Sequence, residues 1–322
     1  MIVCLAANPS IDRLFEIQRL QPGSIHRPLD FKAVPGGKGL NVARAAVALG
    51  GEVSVLTLLA GHAGQWIDDA LGAEGIERRL AWMDGETRSS LSVFDRETSR
   101  LTEFYEAGPA AGADGWEQFS AGLRELLAGA QSAWAGGWMT ISGSLPRGAP
   151  EDGYATVIES ARAVGLRSGL DARGPALASA LGAGPDVVKI NAAEAAELVG
   201  GPCGTRAEVL AAGHQLRRRA GGDGRGAVIT RGTAGVLSVA PDGSGWEGRL
   251  ASWGPYSVGS GDAFLAGLVV ALGRDSPWPR ALAEGMAAGA ANAEQPGAGC
   301  LDRERALELV ELAEVERLTD AV

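Results

Sequence analysis

The sequence predicts an α/β fold, in which helices pack on both faces of a mostly parallel sheet. Short runs of β-branched or apolar residues alternate with longer helical patterns along most of the chain, which is the pattern of this fold class. Gly and Pro separate these segments and do not gather into one linker. With 322 residues, 46% of them hydrophobic, the chain forms one large or two small domains and can bury its core without disulfides or a structural metal.

The predicted elements of the first half follow this alternation. Residues 2–6 are a short apolar run and predict a buried strand. A Gly-rich turn then opens a helix over residues 41–49, and residues 53–58 predict the next strand. Residues 138–142 predict a further buried strand of the same kind.

The second half repeats the pattern, with better-marked helix ends. Strands are predicted at 167–171, 187–190 and 226–230, and helices at 192–199, 263–272 and 302–315. The clearest helix begins at Thr205, because Thr205-x-x-Glu208 has the form of a capping box. The basic run 217–219 suits the last turn of that helix. The tryptophans, Trp253 among them, are assigned to packing.

One stretch breaks the alternation. Residues 88–95 and 100–106 predict two strands joined by a polar turn. Together with residues 13–34, where strands are predicted at 13–17 and 29–34, they could form a small antiparallel sheet inserted into the α/β body. Such a sheet over a cleft would be a lid, and the alternative is an added hairpin at the edge of the main sheet.

Charge and cysteine content exclude several classes of protein. Lys and Arg number 29 against 39 Asp and Glu, for a net charge of -10, which argues against binding to nucleic acid or to a membrane surface. The cysteines, Cys4, Cys203 and Cys300, are far apart and lack the spacing of a zinc site or a disulfide framework. With no basic leader and no apolar run long enough to span a bilayer, we expect a reduced, cytoplasmic protein.

The strongest local signal is the Gly-rich turn of residues 257–261, which leads into the apolar helix. Gly259 and Gly261 lack the Cβ atoms that would block a phosphate, and the first N–H groups of a helix attract anions. Asp262 would repel the same anion unless it takes a proton from a hydroxyl that attacks the phosphate. The alternative is that Asp262 caps the helix.

A second Gly-rich turn, residues 35–41, opens another helix and carries a cation and an amide. It is neither a Walker motif nor a dinucleotide fingerprint. Lys38 could be a solvated surface residue, but a Gly-rich turn favours a polar ligand. Asp12 and Asn41 could both reach that ligand, since each follows a predicted strand or turn at the side of the sheet where α/β proteins bind ligands. A carboxylate and an amide together commonly hold sugar hydroxyls.

Eight motifs, which include the two Gly-rich turns, occur in a fixed order along the chain. They are Asn8-Pro9-Ser10-x-Asp12, Gly36-Gly37-Lys38-Gly39-x-Asn41-Val42-Ala43, Thr87-Arg88, Thr102-Glu103, Ser142-Gly143-Ser144-Leu145-Pro146, Asn191-x-x-Glu194, Thr230-x-Gly232-x-x-Gly235 and Val258-Gly259-Ser260-Gly261-Asp262. This set resembles the ribokinase-like carbohydrate kinases of the PfkB family, most closely the branch of 1-phosphofructokinase and tagatose-6-phosphate kinase. The resemblance implies a ribokinase-like three-layer αβα sandwich, one domain over residues 1–322, and a small β-sheet lid at about 13–34 and 88–106. Two residues differ from the pattern of the family: Arg147 occupies a position where Pro is common, and Arg231 one where a small apolar residue is frequent.

The resemblance also implies roles. Asp262 would be the base, and Gly259, Ser260 and Gly261 the anion hole. The sugar would contact Asp12, Gly37, Lys38, Asn41 and Ser142, and Arg88 would hold the phosphate that the sugar already carries, with Arg27 of the lid approaching the same end. ATP would lie along Lys189, Asn191, Thr230, Gly232 and Gly235, with residues 286–292, including Gly289 and Asn292, beside adenine. Glu194 would organise Mg²⁺, and a monovalent cation could be a further cofactor.

The resemblance thus predicts an ATP- and Mg²⁺-dependent kinase of a ketohexose phosphate. Alternatives are a kinase for an unphosphorylated sugar or nucleoside on the same fold, and a catalytically silent sugar-binding protein. Fructose 1-phosphate, fructose 6-phosphate and tagatose 6-phosphate are not distinguished by the sequence. We also expect a homodimer joined through the lid, whose apolar face a monomer would leave wet. The predicted contact residues are Leu91, Val93, Phe94, Phe104 and Tyr105.

Overall fold

The computed structural model describes residues 1–129, 134, 136–252 and 254–318, and Trp253 lies outside them. The strands of the described residues are β1 (Ile2–Ala6), β2 (Ser10–Ile17), β3 (Asp30–Gly36), β4 (Val53–Leu59), β5 (Glu77–Trp82), β6 (Ser89–Asp95), β7 (Arg100–Tyr105), β8 (Trp138–Ser142), β9 (Arg167–Asp171), β10 (Val187–Asn191), β11 (Gly226–Thr230), β12 (Val236–Val239), β13 (Gly245–Arg249) and β14 (Glu314–Arg317).

The helices of the same residues alternate with most of these strands. They are α1 (Lys38–Ala48), α2 (Gly61–Ala73), α3 (Gly112–Ala128), α4 (Gly153–Ala163), α5 (Gly174–Gly182), α6 (Ala192–Val199), α7 (Arg206–Arg219), α8 (Ser260–Gly273), α9 (Trp278–Ala293) and α10 (Arg303–Glu311). A single 3-10 turn, Gly232–Ala234, follows β11 in the described part of the chain.

The main sheet has ten strands among the described residues, in the order β14-β13-β12-β11-β10-β9-β8-β1-β4-β5. All neighbours from β11 to β5 run parallel, and β12, β13 and β14 add an antiparallel edge. In the central strand, Ile2 lies beside Val53 on one side and Trp138 on the other. The strand order reverses between β1 and β8, and ligands of α/β proteins bind at the carboxyl ends of strands beside such a reversal.

Two hydrophobic layers cover the sheet and give the predicted three-layer architecture. In β1, Val3 and Leu5 face a layer that includes apolar residues of α3, α4, α5 and α7. Ile2 and Cys4 face the opposite layer, which includes α1, α8, α9 and α10. The alternation follows from the two-residue period of a strand. Helix α8 packs between α1 and α9, so most of its residues are buried.

Most of the predicted elements are confirmed, with ends shifted by up to three residues. The strands at 2–6, 138–142, 167–171 and 226–230 have the predicted bounds, and Thr205 begins α7 with the predicted capping box. The helix predicted over 302–315 is partly wrong. Helix α10 ends at Glu311, and the chain then forms β14, because residues 314–317 find backbone partners along the edge strand β13.

The lid is a separate four-stranded sheet in the order β3-β2-β6-β7. The prediction of an antiparallel sheet is wrong for its central pair, since β2 and β6 run parallel. The reason is that β2 follows β1 and β6 follows β5, and β1 and β5 both end at the carboxyl edge of the parallel main sheet. Both lid strands therefore leave that edge in the same direction.

Side chains alternate between the two faces of the lid strands, and two of the residues predicted to contact a partner subunit lie on the inner face. Tyr105 lines the space beneath the lid, and Phe94 is 6% exposed with its ring centre 5.1 Å from that of Tyr256. These two side chains lie on the inner side of the lid. Leu91 and Phe104 form a cross-strand pair on the outer side, where Phe104 is 55% exposed.

Among the described residues, no helix is long and apolar enough to cross a membrane.

Candidate active site

A cavity of about 910 Å³ lies between the lid and the carboxyl ends of the parallel strands. The predicted site residues that line it are Asp12, Gly37, Lys38, Asn41, Arg88, Ser142, Lys189, Asn191, Glu194, Thr230, Gly232, Gly235, Gly259, Ser260, Gly261, Asp262 and Gly289. Residues that are distant in sequence thus meet in one place, because β1, β8, β9, β10 and β11 all end at this edge.

The Gly-rich turn before α8 forms one wall of the cavity. Gly259 is the N-cap and has a φ of 80°, which favours glycine, and a Cβ there would lie 2.8 Å from the Cα of Ala298. At Gly261 a Cβ would lie 2.8 Å from the Lys189 Nζ. The absence of side chains at these two positions lets the backbone N–H groups and the Lys189 ammonium face the same space.

Asp262 lies in the first turn of α8, so the interpretation of this residue as the N-cap is wrong. Its side chain is 5% exposed, and Oδ2 accepts a hydrogen bond of 2.8 Å from Asn41 Nδ2. Burial raises the pKa of Asp262 to about 6, and the charge of Asp171 adds to the rise against the opposing effect of Lys38. A carboxylate with this pKa can accept a proton near neutral pH.

Asp171, at the end of β9, holds the two lysines of the cavity and was missed from the sequence. Its side chain is fully buried, with Oδ1 2.7 Å from Lys38 Nζ and Oδ2 2.6 Å from Lys189 Nζ. Burial alone would raise the pKa of Asp171, but the two lysines outweigh it and lower the pKa. An Asp at the carboxyl end of a predicted strand was the available signal.

The end of the cavity that the sequence predicts to bind the sugar is built around Asp12. One carboxylate oxygen accepts from Ser10 Oγ at 2.5 Å and the other from the Gly37 N–H at 3.1 Å. Burial raises the pKa of Asp12. Asn41 Oδ1 and Ser142 Oγ are buried with no hydrogen-bond partner among the described residues. Unpartnered polar atoms in a cavity wall indicate a polar ligand, because leaving them unpaired costs free energy.

Guanidinium groups line the same cavity near Asn8. Arg88 donates to Asn8 Oδ1 and to Ser90 Oγ, both at 3.2 Å, and Arg147 donates to the Gly108 carbonyl at 3.0 Å. Arg173 also lines the cavity. Burial is the main reason that the pKa of Arg88 is lowered, and the charge of Arg173 acts in the same direction.

None of these three arginines forms an ion pair among the described residues. Lys38 and Lys189, by contrast, are both paired with Asp171. Arg147 and Arg173 were not predicted as site residues. Arg147 was visible in the sequence only as an unusual residue after Leu145-Pro146, and Arg173 gave no local signal.

The end of the cavity that the sequence predicts to bind the nucleotide is formed by the ends of β10 and β11. Asn191 caps α6 through a capping box with Glu194, and the Glu194 carboxylate lies 3.7 Å from Lys38 Nζ. Gly235 has a φ of 83°, and a Cβ there would lie 2.1 Å from the Gly248 carbonyl oxygen. The 3-10 turn therefore closes tightly on β13 and leaves its outer side open to the cavity.

Two predicted site residues do not line the cavity. Arg27 is exposed in the loop between β2 and β3, and its predicted approach to the phosphate end stays a prediction. Asn292 is fully buried: Nδ2 donates to the Val258 carbonyl at 2.9 Å, and Oδ1 accepts from the Gly299 N–H at 2.8 Å. Asn292 thus supports the Gly-rich turn from behind.

Known proteins resemble this chain over most of its length. The sequence pattern of the pfkB family carbohydrate kinases matches residues 5–304. The 1-phosphofructokinase of Xanthomonas campestris pv. campestris is 36% identical over 278 residues, which cover 84% of this chain and 83% of that protein. The ATP-dependent 6-phosphofructokinase isozyme 2 of Mycobacterium tuberculosis is 31% identical over 312 residues, 97% of this chain and 89% of that protein.

Solved structures of other proteins have the same fold as this chain. Phosphofructokinase-2 from Escherichia coli, in complex with substrates and products, has a TM-score of 0.87 at 24% identity and covers 96% of this chain and 98% of its own. A possible 1-phosphofructokinase from Thermotoga maritima has a TM-score of 0.83 at 20% identity, over 99% of this chain and all of its own. The family match and the sequence relatives together show that this chain belongs to the PfkB family of carbohydrate kinases.

Proposed function

We propose that this protein is an ATP-dependent kinase that transfers a γ-phosphoryl group to a hydroxymethyl group of a ketohexose phosphate. Family membership makes the chain a phosphotransferase with an alcohol acceptor. The relatives named above are a 1-phosphofructokinase and a 6-phosphofructokinase. The observation that carries the proposal is Asp262, a buried carboxylate with a raised pKa beside a Gly-rich turn in a cavity that also holds unpaired guanidinium groups.

The chemistry follows from the positions of these groups. The hydroxymethyl O–H of the sugar loses its proton to the Asp262 carboxylate as its oxygen bonds to the γ-phosphorus. The bond from that phosphorus to the bridging oxygen breaks, and ADP leaves. The backbone N–H groups of residues 259–261 and the Lys189 ammonium stabilise the negative charge on the transferred group. Asn41 orients the base through the hydrogen bond to Oδ2.

The arginines support a phosphorylated acceptor over a free sugar. A chain with a net charge of -10 repels an anionic substrate at long range, so local cations must select it. Arg88, Arg147 and Arg173 line the cavity, and a guanidinium group can hold a phosphate through two parallel hydrogen bonds. We assign the phosphate of the substrate to this end of the cavity.

ATP and Mg²⁺ fit the opposite end. Among the described residues, no group of three or more His, Cys, Asp or Glu side chains could hold a metal by itself. Mg²⁺ in kinases is commonly bound by one or two carboxylates together with phosphates and water, and Glu194 lines the cavity as such a carboxylate. When bound, the ion neutralises charge on the nucleotide phosphates. A relative, phosphofructokinase-2 from E. coli, has been solved in complex with potassium, and a monovalent cation stays a prediction for this chain.

The proposal includes a homodimer joined through the outer side of the lid, and a cytoplasmic location. Phe31 and Phe104 are each 55% exposed, and Phe31 packs edge-on against Phe15 with ring centres 5.5 Å apart. Large exposed aromatic side chains on one sheet face are typical of a surface that another protein covers. The cysteines are free among the described residues.

A substrate screen with a charge-matched pair of variants tests the function. ADP release should require a sugar phosphate and should be slow with free fructose, ribose or adenosine. Arg88→Ala should lower kcat/KM for the sugar phosphate by about 10- to 100-fold, since a hydrogen bond to a charged group contributes about 1.5 to 3 kcal/mol. Arg19→Ala removes the same charge from an exposed ion pair with Glu97 and should change little. Equal turnover of free sugars would favour the kinase of an unphosphorylated acceptor.

A further inference from the structure

Tyr256 connects the lid to the Gly-rich turn without lining the cavity. It belongs to the segment of residues 254–258, which precedes Gly259. Its hydroxyl donates a hydrogen bond of 2.7 Å to Glu16 Oε1, and its ring centre lies 5.1 Å from that of Phe94. Glu16 and Phe94 belong to lid strands β2 and β6, so one side chain of the α/β body contacts two strands of the lid.

Glu16 is held firmly on the lid side of this contact. The residue is 5% exposed, and its other oxygen, Oε2, accepts from Arg96 Nε at 2.9 Å and from Arg96 Nη2 at 2.5 Å. Strand β2 also carries Asp12, four residues earlier and therefore on the same side of the strand. The position of Glu16 is thus tied to the position of the carboxylate that we assign to the sugar.

The 254–258 segment is held equally firmly on the side of the Gly-rich turn. The Tyr256 N–H donates to the Ala293 carbonyl at 2.9 Å, and Asn292 Nδ2 donates to the Val258 carbonyl at 2.9 Å. At the end of the segment, the Ser260 N–H donates to the Ser257 carbonyl at 3.2 Å. A shift of Tyr256 would therefore move the backbone that leads directly into Gly259.

We infer that Tyr256 is a positioning residue, which aligns the Gly-rich turn with the lid through its hydrogen bond to Glu16. The turn would then be in the geometry that stabilises the transferred phosphoryl group only when β2 is in place over the sugar. A donor for developing charge is effective within a few tenths of an ångström, so loss of this link lowers turnover more than binding. The inference rests on the proposed kinase function.

Tyr256→Phe tests this inference, because it removes the hydroxyl and keeps the ring against Phe94. We expect kcat to fall about tenfold, equivalent to about 1.4 kcal/mol, with KM for ATP and for the sugar phosphate changed less than threefold. Tyr154→Phe is the matched control, since the Tyr154 hydroxyl is buried with no partner among the described residues. Its kcat should equal that of the wild type.

A double-mutant cycle and an activity-independent measurement separate positioning from general destabilisation. Glu16→Ala removes the oxygen that accepts the Tyr256 hydroxyl. The Glu16→Ala variant and the Tyr256→Phe/Glu16→Ala double variant should lower kcat by about the same factor as Tyr256→Phe, because all three lack the same hydrogen bond. Amide hydrogen exchange should quicken at residues 257–261 and stay unchanged within residues 265–271 of α8.

Different failures have different meanings. A wild-type protein that turns over no sugar phosphate would refute the proposed function. Wild-type turnover that Tyr256→Phe leaves within twofold would refute the positioning role alone. A loss of kcat accompanied by faster exchange throughout α8 would also refute it, because the hydroxyl would then act through overall stability.

Discussion

Replacing Asp262 with Asn tests two properties of this residue separately: its role as the base in catalysis, and the stability that the protein loses by burying its carboxylate. The amide has nearly the shape of the carboxylate, and its carbonyl oxygen can still accept the hydrogen bond that Asn41 Nδ2 now donates at 2.8 Å. It cannot accept a proton. The substitution therefore removes the proposed base and leaves the packing of α8 in place.

Turnover of the Asp262→Asn variant should fall by about 10² to 10⁴, the range that general acid–base catalysis contributes. KM for ATP should stay within about threefold of wild type, because the amide adds no charge and no bulk near the nucleotide end. A coupled assay of ADP release, with saturating ATP and sugar phosphate, measures both quantities.

The same variant should be more stable than wild type at neutral pH. Burial raises the pKa of Asp262 from 3.8 to about 6, so the folded state binds the proton more tightly than the unfolded state between these values. Stability therefore falls as the pH rises through this window, and the ionised carboxylate costs up to about 3 kcal/mol above it. Asp262→Asn should recover part of this free energy at pH 7.5 and none below pH 4.

Urea unfolding at pH 4 and at pH 7.5 checks the stability change. Asp302→Asn is a suitable control, because Asp302 caps α10 through the Arg305 N–H at 2.8 Å and Asn caps a helix equally well. A kcat within tenfold of wild type would show that the base lies elsewhere. A variant that is less stable than wild type at pH 7.5 would refute the reasoning from burial.

Three further predictions follow from the same structure. In the wild type, kcat/KM for the sugar phosphate should fall as the pH drops below about 6, the pKa of Asp262 in the free protein, because a protonated carboxyl cannot accept the proton. A pH profile checks this, and Asp262→Asn should lack the inflection. Asp171→Asn should lower the free energy of unfolding at pH 7 by about 3 kcal/mol, since Lys38 and Lys189 lose their buried counter-charge. Because the pKa of Asp171 is lowered from 3.8, its carboxylate stabilises the folded state at pH values above 3.8, and this contribution decreases as the pH falls below that value. The difference in unfolding free energy between wild type and Asp171→Asn should therefore be smaller at pH 3 than at pH 7 in urea unfolding. The wild type should sediment as a dimer at micromolar concentration, and Phe104→Asp as a monomer, because the charge would be buried in the lid interface.

The sequence alone was sufficient to predict those elements that are specified by residues close to one another in the chain. The buried strands follow from short apolar runs, and the helix from Thr205 follows from a capping box that the structure contains. The Gly-rich turns and Asp262 were also visible, because an anion-binding turn is formed by consecutive residues. The less regular elements were not assigned: α9 is rich in Ala and Gly, and the antiparallel strands β12 and β13 are short.

Only the tertiary structure decided which distant residues meet. Strand order placed the end of β9 between the two lysines, so that Asp171 bridges them, and it brought Arg173 to the same cavity as Arg88. It also set the parallel pairing in the lid and the contact of Tyr256 with Glu16, 240 residues apart. The periodicity of a segment reports which of its faces is buried, but it carries no information on which segment lies beside it. That choice depends on the free energy of packing the whole chain.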